Sequence, residues 1–440
     1  MQKKPMLSVA EALDFMLAAA RPVDVTETLP TLQANGRILA SSQTSALDVP
    51  PMDNSQMDGY AVRVADCGGA GEGQPVRLKV SQRIPAGHVG QPLQPGTAAR
   101  IFTGAMIPDG ADAVVMQELC DSQQDADGDW VAIRHAPSMG EWVRRRGEDI
   151  RAGSTILASG TRLRAQELGL AASVGLASLP VVRRLRVAVF FTGDELAMPG
   201  ETLKPGAIYN SNRFVLRGLL ENLGCEITDY GIVPDSLQAT RATLREAAAG
   251  HDLIITSGGV SVGEEDHVKP AVEAEGRLNM WQIAMKPGKP LAFGEVFREV
   301  LSAAGAATGA KPASESAVAA DAAMEQDSAF FLGLPGNPVS SFITFLLFVR
   351  PFILRLQGVA DVAPRTYAMR ADFDWPRADR RNEFLRVKRN DAGGLDLFPN
   401  QGSAVLTSTV WGDGLVDNPP GQTIAAGDTV RFISFADLLY

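Results

Sequence analysis

A glycine-rich stretch followed by three acidic residues, SGGVSVGEEDHVK from Ser257 to Lys269, has the residue types most suggestive of chemistry. Backbone N–H groups of a glycine turn at a helix start bind phosphate or carboxylate groups. The acids at 264–266 would repel such an anion unless a divalent cation lay between them, since Mg²⁺ takes oxygen ligands from both. The stretch therefore predicts a metal-bridged phosphate site. A plain tight turn with an exposed acid near a helix N-terminus, Glu264 or Glu265, is the alternative.

The same stretch also fits the nucleophile-elbow pattern G-x-S-x-G, centred on Ser261. That arrangement needs an acid and then a histidine further along the chain. Of the 4 histidines, only His267 follows Ser261, and it lies on the same loop or helix. A triad base cannot be supplied in this way, so the sequence disfavours a serine hydrolase.

Two further segments carry charges that suit the same cleft. Thr192-Gly-Asp-Glu195 follows an apolar run and forms either a second acidic rim or a helix cap. Lys286 and Lys289 flank a rigid turn in AMKPGKP, where they repel each other unless an anion or acids lie between them. Solvated surface lysines are the alternative for this pair.

Two polar segments earlier in the chain have weaker signals. Residues 144–149, RRRGED, form a basic run followed at once by acids, which indicates a solvated turn with local ion pairs. Residues 50–61, PPMDNSQMDGYA, are rich in turn-forming residues, and loops of this kind also carry binding sites.

The elements that position the glycine stretch alternate between strand and helix. LRVAVFF, CEITDYGIV and DLIITSGG read as strands, while SNRFVLRGLLENLG, SLQATRATLREAAAG and the shorter HVKPAVEAEG read as helices. This alternation predicts βαβ units and a mostly parallel sheet. Ligands of such sheets bind at the carboxyl ends of the strands, where FFTGDE and TSGGVSVGEED both lie.

The remaining segments complete a multidomain α/β-plus-β protein. Ser8 and Glu11 form a capping box for an N-terminal helix, and Asn337 is expected to cap a long apolar helix. Residues 298–328 are rich in Ala, Ser and Gly and are predicted to form a disordered surface insertion. The predicted domains are a linking domain (24–46 and 150–178), an all-β insertion (47–149), an α/β domain (1–23 and 179–358) and a C-terminal β domain (359–440).

Composition excludes several classes of function. The 440 residues have a formal net charge of -10, so a global basic field for nucleic acid is absent. The 3 cysteines are far apart and form no C-x-x-C, which fits a reducing compartment. The N-terminus lacks the features of a signal peptide, and no run of about 18 apolar residues predicts a membrane span. We therefore expect a cytoplasmic protein that binds neither nucleic acid nor membrane.

The chain contains no P-loop, Rossmann or H-E-x-x-H motif.

Seven motifs occur in one order along the chain: DNSQMDGYAVR, RIFTGAMIPDGADAVVMQE, RRRGEDI, FFTGDEL, ITSGGVSVGEED, MKPGKPLAFG and GLPGNPVSS. As an ordered set they resemble the molybdopterin molybdenumtransferase family, MoeA in bacteria, which is related to the E domain of gephyrin. The resemblance spans nearly the whole chain except residues 298–328. The chain departs from it at His267, where the family often has tyrosine.

The resemblance implies insertion of molybdate into the dithiolene of adenylylated molybdopterin, with release of AMP and assistance by Mg²⁺. It also implies a homodimer whose cleft joins the α/β domain of one subunit to the β insertion of the other. The α/β domain would resemble the molybdopterin adenylyltransferase that acts one step earlier and is the expected upstream partner. Two alternatives stay open: an adenylyltransferase-like enzyme or related nucleotide hydrolase, and a non-enzymatic scaffold like gephyrin.

Motif positions carry the family's roles onto this chain. Catalytic roles fall on Asp58, Thr103, Glu195, Asp235, Asp266, Lys286 and Lys289, and metal binding on Glu195, Asp235 and Asp266. Which of these three acids bind metal and which position substrate stays open. The predicted substrate-binding residues are Asp149, Thr192, Ser257, Gly258, Gly259, Ser261, Gly263, Pro335, Asn337, Arg386 and Ser403, of which Arg386 and Ser403 would contact molybdate.

Overall fold

The computed structural model describes residues 6–260, 267–298 and 327–439, with residues 280 and 281 as backbone only. The chain forms two compact units. The larger unit contains the described residues up to Glu27, Gly36–Ala40 and those from Pro180 onward, and the smaller unit contains Thr28–Asn35 and Ser41–Leu179. The finer four-domain division stays a prediction.

The N-terminal helix α1 (Val9–Ala19) begins where the capping box predicts. The Ser8 backbone N–H donates to Glu11 Oε2 at 2.8 Å, and the Glu11 N–H donates to Ser8 Oγ at 3.2 Å. These reciprocal bonds satisfy two N–H groups that have no partner inside the helix. Ala12 and Met16, one turn apart, are fully buried in the core of the larger unit.

The smaller unit is built on a six-stranded sheet, which confirms the predicted all-β insertion; its strands are, in order across the sheet, β7 (Ala113–Met116), β4 (Gly59–Val62), β6 (Thr97–Ile101), β5 (Val76–Ile84), β9 (Gly128–Ile133) and β8 (Cys120–Asp125). Strand β4 is buried at every position, and its neighbours pack apolar side chains on both faces of the sheet. The elements from residue 26 to 173 are β1 (Thr26–Pro30), a 3-10 helix (Thr31–Gln33), β2 (Gln43–Thr44), β3 (Asn54–Ser55), β4 (Gly59–Val62), a 3-10 helix (Val64–Asp66), β5 (Val76–Ile84), β6 (Thr97–Ile101), β7 (Ala113–Met116), a 3-10 helix (Gln117–Leu119), β8 (Cys120–Asp125), β9 (Gly128–Ile133), β10 (Val143–Arg144), β11 (Thr155–Leu157) and α2 (Ala165–Ser173).

The larger unit contains the predicted α/β domain. The elements from residue 178 to 356 are β12 (Ser178–Val182), β13 (Arg186–Thr192), β14 (Leu196–Ala197), β15 (Ile208–Tyr209), α3 (Ser211–Asn222), β16 (Glu226–Val233), α4 (Leu237–Gly250), β17 (Leu253–Ser257), α5 (Val268–Glu275), β18 (Gly276–Gln282), β19 (Met285–Lys286), β20 (Pro290–Phe297), β21 (Ser328–Leu334) and α6 (Pro338–Leu356).

The sheet of this domain has the order β16-β13-β17-β21-β20-β18. The first four strands are mutually parallel, and β20 and β18 extend the sheet in antiparallel pairing. Alternate residues of β13 enter opposite cores: Val187, Val189 and Phe191 pack with α1, α3 and α6, whereas Ala188 and Phe190 pack with α4 and α5. A strand buried on both faces reads as a continuous apolar run, as LRVAVFF does.

Helix α6 is long and apolar enough to cross a membrane by length and composition, but 89% of its apolar window is buried inside the protein. It is therefore a core helix. Asn337 occupies the predicted N-cap position, yet its side chain makes no capping hydrogen bond. Residues 345–349 form a π-helical turn in which the Arg350 N–H bonds Phe345 O. The wider turn accommodates Pro351, which cannot donate to a carbonyl and would clash with a regular preceding turn.

The C-terminal domain is a closed β barrel, in agreement with the predicted C-terminal β domain. Its elements are β22 (Tyr367–Ala371), β23 (Asn382–Arg389), β24 (Gly394–Leu397), α7 (Thr407–Trp411), β25 (Gly414–Asn418), β26 (Thr429–Ser434) and α8 (Phe435–Leu439). The ring β23-β24-β22-β26-β25 closes through pairing of β23 with β25. Strand β19 of the α/β segment adds to this sheet by parallel pairing with β23, which the sequence did not indicate.

The predicted disordered insertion at 298–328 lies mostly outside the described residues, which stop at 298 and resume at 327. Its two ends are paired within the β20–β21 hairpin, where Phe297 is in register with Ser328. The Arg298 N–H donates to Asp327 O at 3.1 Å, and the two side chains form an ion pair at 2.8 Å.

Replacement of Phe352 by alanine should lower the free energy of unfolding by about 3–5 kcal/mol. Phe352 is fully buried, and its ring meets those of Phe293 and Phe330 edge to face at 5.4 and 5.0 Å. Urea unfolding followed by circular dichroism measures the loss. The matched control is Phe214→Ala on α3, whose side chain is 55% exposed, and which should cost about 0.5 kcal/mol or less. Equal losses would contradict the core position of Phe352.

Candidate active site

One cleft of about 910 Å³ lies in the larger unit, at the carboxyl ends of β13, β17 and β21. Parallel strands bring these ends to one edge of the sheet, which is where the sequence placed the ligand. Eleven of the residues predicted to act in the site line this cleft. They are Thr192, Glu195, Asp235, Ser257, Gly258, Gly259, Lys286, Lys289, Pro335 and Asn337, together with Ser403 of the C-terminal domain.

The loop after β13 brings a carboxylate back over its own backbone. Gly193 has φ 143°, a conformation that strains any residue with a Cβ, and a Cβ here would lie 2.6 Å from Glu195 Oε2, so a substitution would strain the backbone and displace the carboxylate. The loop leads into the short strand β14 and not into a helix. The helix-cap reading of Thr192-Gly-Asp-Glu195 is therefore wrong, and Glu195 stands exposed at the cleft.

The loop after β17 is a glycine turn. It is hydrogen-bonded to the loop after β21 and to helix α3. Gly258 and Gly259 both have positive φ, at 98° and 62°. The Ser257 hydroxyl donates to Pro335 O at 3.0 Å, which ties this loop to the one after β21. The predicted residues Ser261, Gly263 and Asp266 lie outside the described residues, so the anion-cradle prediction stays a prediction for that part of the loop.

Asn212, on the first turn of α3, is a cleft residue that the sequence reasoning missed. Its Nδ2 donates to Ser257 Oγ and to Gly336 O, both at 2.8 Å. One buried amide thus joins the loops after β17 and β21 and fixes the spacing between them. The sequence signal that could have indicated it is a polar side chain in the first turn of an amphipathic helix that follows a strand region.

The two lysines of the MKPGKP turn have different surroundings. Lys286 Nζ lies 2.8 Å from Glu383 Oε1 and 3.5 Å from Asp379 Oδ2. The acids that the sequence reasoning required beside this lysine are therefore present. Lys289 is exposed at the cleft, and within the described part of the chain no ion pair involves it.

Two arginines of the C-terminal domain lie near the cleft, one predicted to act in it and one not. Arg386 is only 1% exposed and lies behind the cleft wall, where it donates to Ser408 Oγ, Phe384 O and Gly402 O. Burial lowers its pKa to about 10, because these acceptors are neutral. Its predicted contact with molybdate stays a prediction that this position does not favour. Arg381, which the sequence reasoning did not single out, lines the cleft.

Acidic residues at the cleft include two of the three predicted metal ligands. Glu195 and Asp235 both line it, and their predicted partner Asp266 is outside the described residues. Across 6–260, 267–298 and 327–439, no group of three or more His, Cys, Asp or Glu side chains is arranged to hold a metal ion. Two carboxylates still suit Mg²⁺, which is usually bound by one or two carboxylates together with substrate phosphates and water.

The smaller unit brings together the two predicted catalytic residues that belong to it. The backbone N–H and the hydroxyl of Thr103 both donate to Asp58 Oδ1 at 2.8 Å. These hydrogen bonds, the backbone one foremost, hold the pKa of Asp58 below its ordinary value. Asp149 is exposed on a nearby turn of the same unit, and its N–H donates to Val49 O.

The basic run at 144–149 forms ion pairs that reach further than the sequence indicated. Arg145 pairs with Asp53 at 2.7 Å, and Arg146 pairs with Asp48 at 2.6 Å. Within the run, the Arg145 N–H donates to Glu148 Oε2 at 2.9 Å, which is a hydrogen bond to the backbone and not an ion pair. The run thus fastens its turn to the 48–53 loop.

Three family models match successive parts of the chain. They are described as the MoeA N-terminal region (domain I and II) over residues 7–175, a probable molybdopterin binding domain over 188–355, and the MoeA C-terminal region (domain IV) over 368–435. The fold and the cleft thus define a multidomain protein whose α/β domain is of the molybdopterin-binding type.

Whole-chain comparisons agree with these models. A curated Haemophilus influenzae protein named molybdopterin molybdenumtransferase is 36% identical, covering 99% of this chain and 100% of its own length. A Nostoc protein of the same name is 39% identical over 81% of this chain and 76% of its own. A crystal structure of a molybdopterin biosynthesis MoeA protein from Pyrococcus horikoshii superimposes with a TM-score of 0.79 at 27% identity, covering 98% of this chain and 100% of that one. This chain belongs to the MoeA family.

Replacement of Thr103 by valine should raise the pKa of Asp58 toward the ordinary carboxyl value, because the hydroxyl donor is lost and the backbone donor remains. The Thr103–Asp58 interaction stabilises the fold above that ordinary value of about 3.9 and is lost as pH falls through the lowered pKa. The mutation should therefore flatten the stability loss on acidification. Carboxyl ¹³C NMR titration measures the shift. Thr97→Val in the same unit is the control and should leave Asp58 unchanged; an equal response to both would contradict the assigned hydrogen bonds.

Proposed function

We propose that this MoeA-family enzyme, a molybdopterin molybdenumtransferase like its relatives, inserts molybdate into the dithiolene of adenylylated molybdopterin and releases AMP. The observation that carries the proposal is the single cleft in which two acids, two backbone loops and two lysines meet at the carboxyl edge of the sheet.

The chemistry of the substrates explains this combination. Adenylylated molybdopterin carries a pyrophosphate and two sulfur ligands, and molybdate is a dianion. The Gly258 N–H is already bonded to Leu334 O and Pro335 has none, so the backbone N–H groups proposed to bind anions are those of Gly259, Gly336 and Asn337. Lys289, exposed and without an ion pair among the described residues, supplies a positive charge that a phosphate or molybdate oxygen can neutralise.

Glu195 and Asp235 are the described residues that would hold Mg²⁺, together with the substrate pyrophosphate. A bound Mg²⁺ would neutralise charge on the phosphate oxygens and polarise the phosphorus centre. In the hydrolytic step, a water attacks the adenylate phosphorus, and the bond from that phosphorus to the bridging oxygen breaks. AMP and the molybdopterin phosphate separate, and the water proton passes to a carboxylate of the cleft. Positioning of this water is the role proposed for the acids.

A second subunit completes the proposed site. Asp58, Thr103 and Asp149 belong to the smaller unit, and we propose that they reach the cleft of the partner subunit in a homodimer. The hydrogen-bonded Asp58–Thr103 pair supports this role, because it presents a half-exposed, ionised carboxylate beside the exposed Thr103. A molybdopterin adenylyltransferase is the proposed upstream partner. A cytoplasmic location is proposed because all three cysteines are free thiols.

Glu195→Gln and Asp235→Asn should each lower molybdate-dependent AMP release by about a hundredfold or more, since each removes a positioned carboxylate. The assay uses purified protein, adenylylated molybdopterin, molybdate and Mg²⁺, with AMP measured by chromatography. Glu226→Gln is the matched control, because Glu226 is exposed at the opposite end of β16. An intact adenylate with wild-type protein would refute the proposed reaction, and ATP-dependent adenylylation of molybdopterin would favour an adenylyltransferase instead.

Subunit complementation tests the shared site. Asp58→Asn and Glu195→Gln homodimers should both be inactive, whereas a mixture allowed to exchange subunits should recover about a quarter of wild-type activity. This recovery arises because half of the dimers are mixed and each mixed dimer has one intact site. Mixing two different cleft variants, Glu195→Gln and Asp235→Asn, is the control and should restore nothing. No recovery in the first mixture would place Asp58 and Glu195 in the same site of one subunit.

A further inference from the structure

Lys286 is held in the cleft by the C-terminal barrel. It lies on β19, which pairs in parallel with β23, so that Met285 is in register with Asn382 and Lys286 with Glu383. The Asn382 N–H donates to Ala284 O at 3.0 Å and anchors the start of this pairing. The backbone of the lysine turn is therefore fixed by a strand that lies almost a hundred residues further along the chain.

The side chain of Lys286 is fixed by the same strand. Glu383 is 1% exposed, and its Oε1 lies 2.8 Å from Lys286 Nζ. Its other oxygen, Oε2, accepts a hydrogen bond of 2.8 Å from Trp375 Nε1. Both carboxylate oxygens are thus committed. Because a buried carboxylate is costly without a partner, the pair strongly restricts where the ammonium group can lie.

The second acid near Lys286 has a different role. Asp379 accepts from Arg381 through both oxygens, at 3.1 and 2.9 Å, and this bonding holds its pKa well below the ordinary value. Its distance to Lys286 Nζ is 3.5 Å, longer than that of Glu383. Asp379 is therefore mainly the partner of Arg381. Among the described residues, Glu383 is the group that sets the position of Lys286.

We infer that Glu383 is a positioning residue that, with Trp375, aims the Lys286 ammonium group at an oxyanion in the cleft. Glu383 does not itself line the cleft, whereas Lys286 does. The inference rests on the proposed function in that it takes the oxyanion to be molybdate or a substrate phosphate. The C-terminal domain already lines the cleft with Arg381 and residues 401–404, and the inference adds a second task for it, through one buried carboxylate.

The test measures molybdate KM and kcat for Glu383→Gln, which keeps the shape of the side chain and removes its charge. We expect KM to rise about tenfold and kcat to change less than about twofold, because a displaced ammonium group binds the ion less well. Trp375→Phe removes the hydrogen bond to Oε2 and should raise KM in the same direction by less. It supplies a second variant if Glu383→Gln does not fold.

A double-mutant cycle separates positioning from general stability. In a Lys286→Met background, Glu383→Gln should change KM less than about twofold, since the group it positions is gone. The matched control is Glu295→Gln. Glu295 is equally buried at 2% and paired with Arg21 at 2.6 Å, away from the cleft, so its loss should lower stability and leave molybdate KM unchanged.

The positioning role of Glu383 and the proposed reaction can be tested separately. Calorimetric titration of the protein alone with molybdate measures binding without turnover. Weaker binding by Glu383→Gln supports the inference even if wild-type protein releases no AMP. Unchanged molybdate binding and KM in Glu383→Gln overturn it even if the reaction is confirmed. The same tenfold effect in the Lys286→Met background also overturns it, because the carboxylate would then act without the lysine.

Discussion

The parallel pairing of β13, β17 and β21 is the constraint on which the cleft depends. Parallel neighbours end at one edge of a sheet, so the three loops that follow these strands have to meet there. The pairing is enforced by burial on both faces, since one residue slip would move Val187 and Phe191 from one core to the other. The hydrogen bonds from Asn212 and Ser257 then refine a proximity that the sheet has already imposed.

The core on one face of the sheet also joins the α/β domain to the barrel. Helix α6 packs against the sheet, and Phe384, Leu415 and Ile433 of the barrel belong to the same apolar cluster. The ring of Phe342 meets that of Phe435 edge to face at 5.4 Å. This shared core fixes the position of the barrel against the α/β domain. In that position Ser403 lines the cleft wall and Glu383 contacts Lys286. The apolar contacts between helix α6 and the barrel therefore determine where Ser403 and Glu383 lie.

The strands and helices of the α/β domain follow from the sequence because their signals are local. The run LRVAVFF, the capping box at Ser8 and the glycine after α3 each specify an element within a few residues. Loop positions at the cleft follow as well, since they come directly after recognisable strands. The helix-cap reading of 192–195 failed because a glycine with positive φ turns the chain into β14, and such a choice depends on what packs around it.

Contacts between distant segments could not be predicted in this way. Glu383 is 97 positions from Lys286, and no periodicity connects a buried glutamate to one particular lysine. Arg386 was assigned from the family resemblance, and the mixed polar and apolar sequence of β23 does not reveal that Arg386 is buried whereas Arg381, just before the strand, lines the cleft. The roles proposed for Asp58 and Asp149 depend on the proposed second subunit, and the fold of one chain does not test them.

The closed base of the β20–β21 hairpin has a consequence for how this chain can vary in length. Phe297 and Ser328 are in register, and Arg298 and Asp327 form an ion pair directly beside them. The sheet is therefore complete before the segment at 299–326 begins. This end of β21 is opposite to the end that forms the cleft, about 20 Å away for a strand of this length. Each doubling of a loop costs only about 0.6 kcal/mol of closure entropy. Evolution or engineering can accordingly lengthen, shorten or exchange the segment, even for a whole folded domain, without moving the catalytic edge.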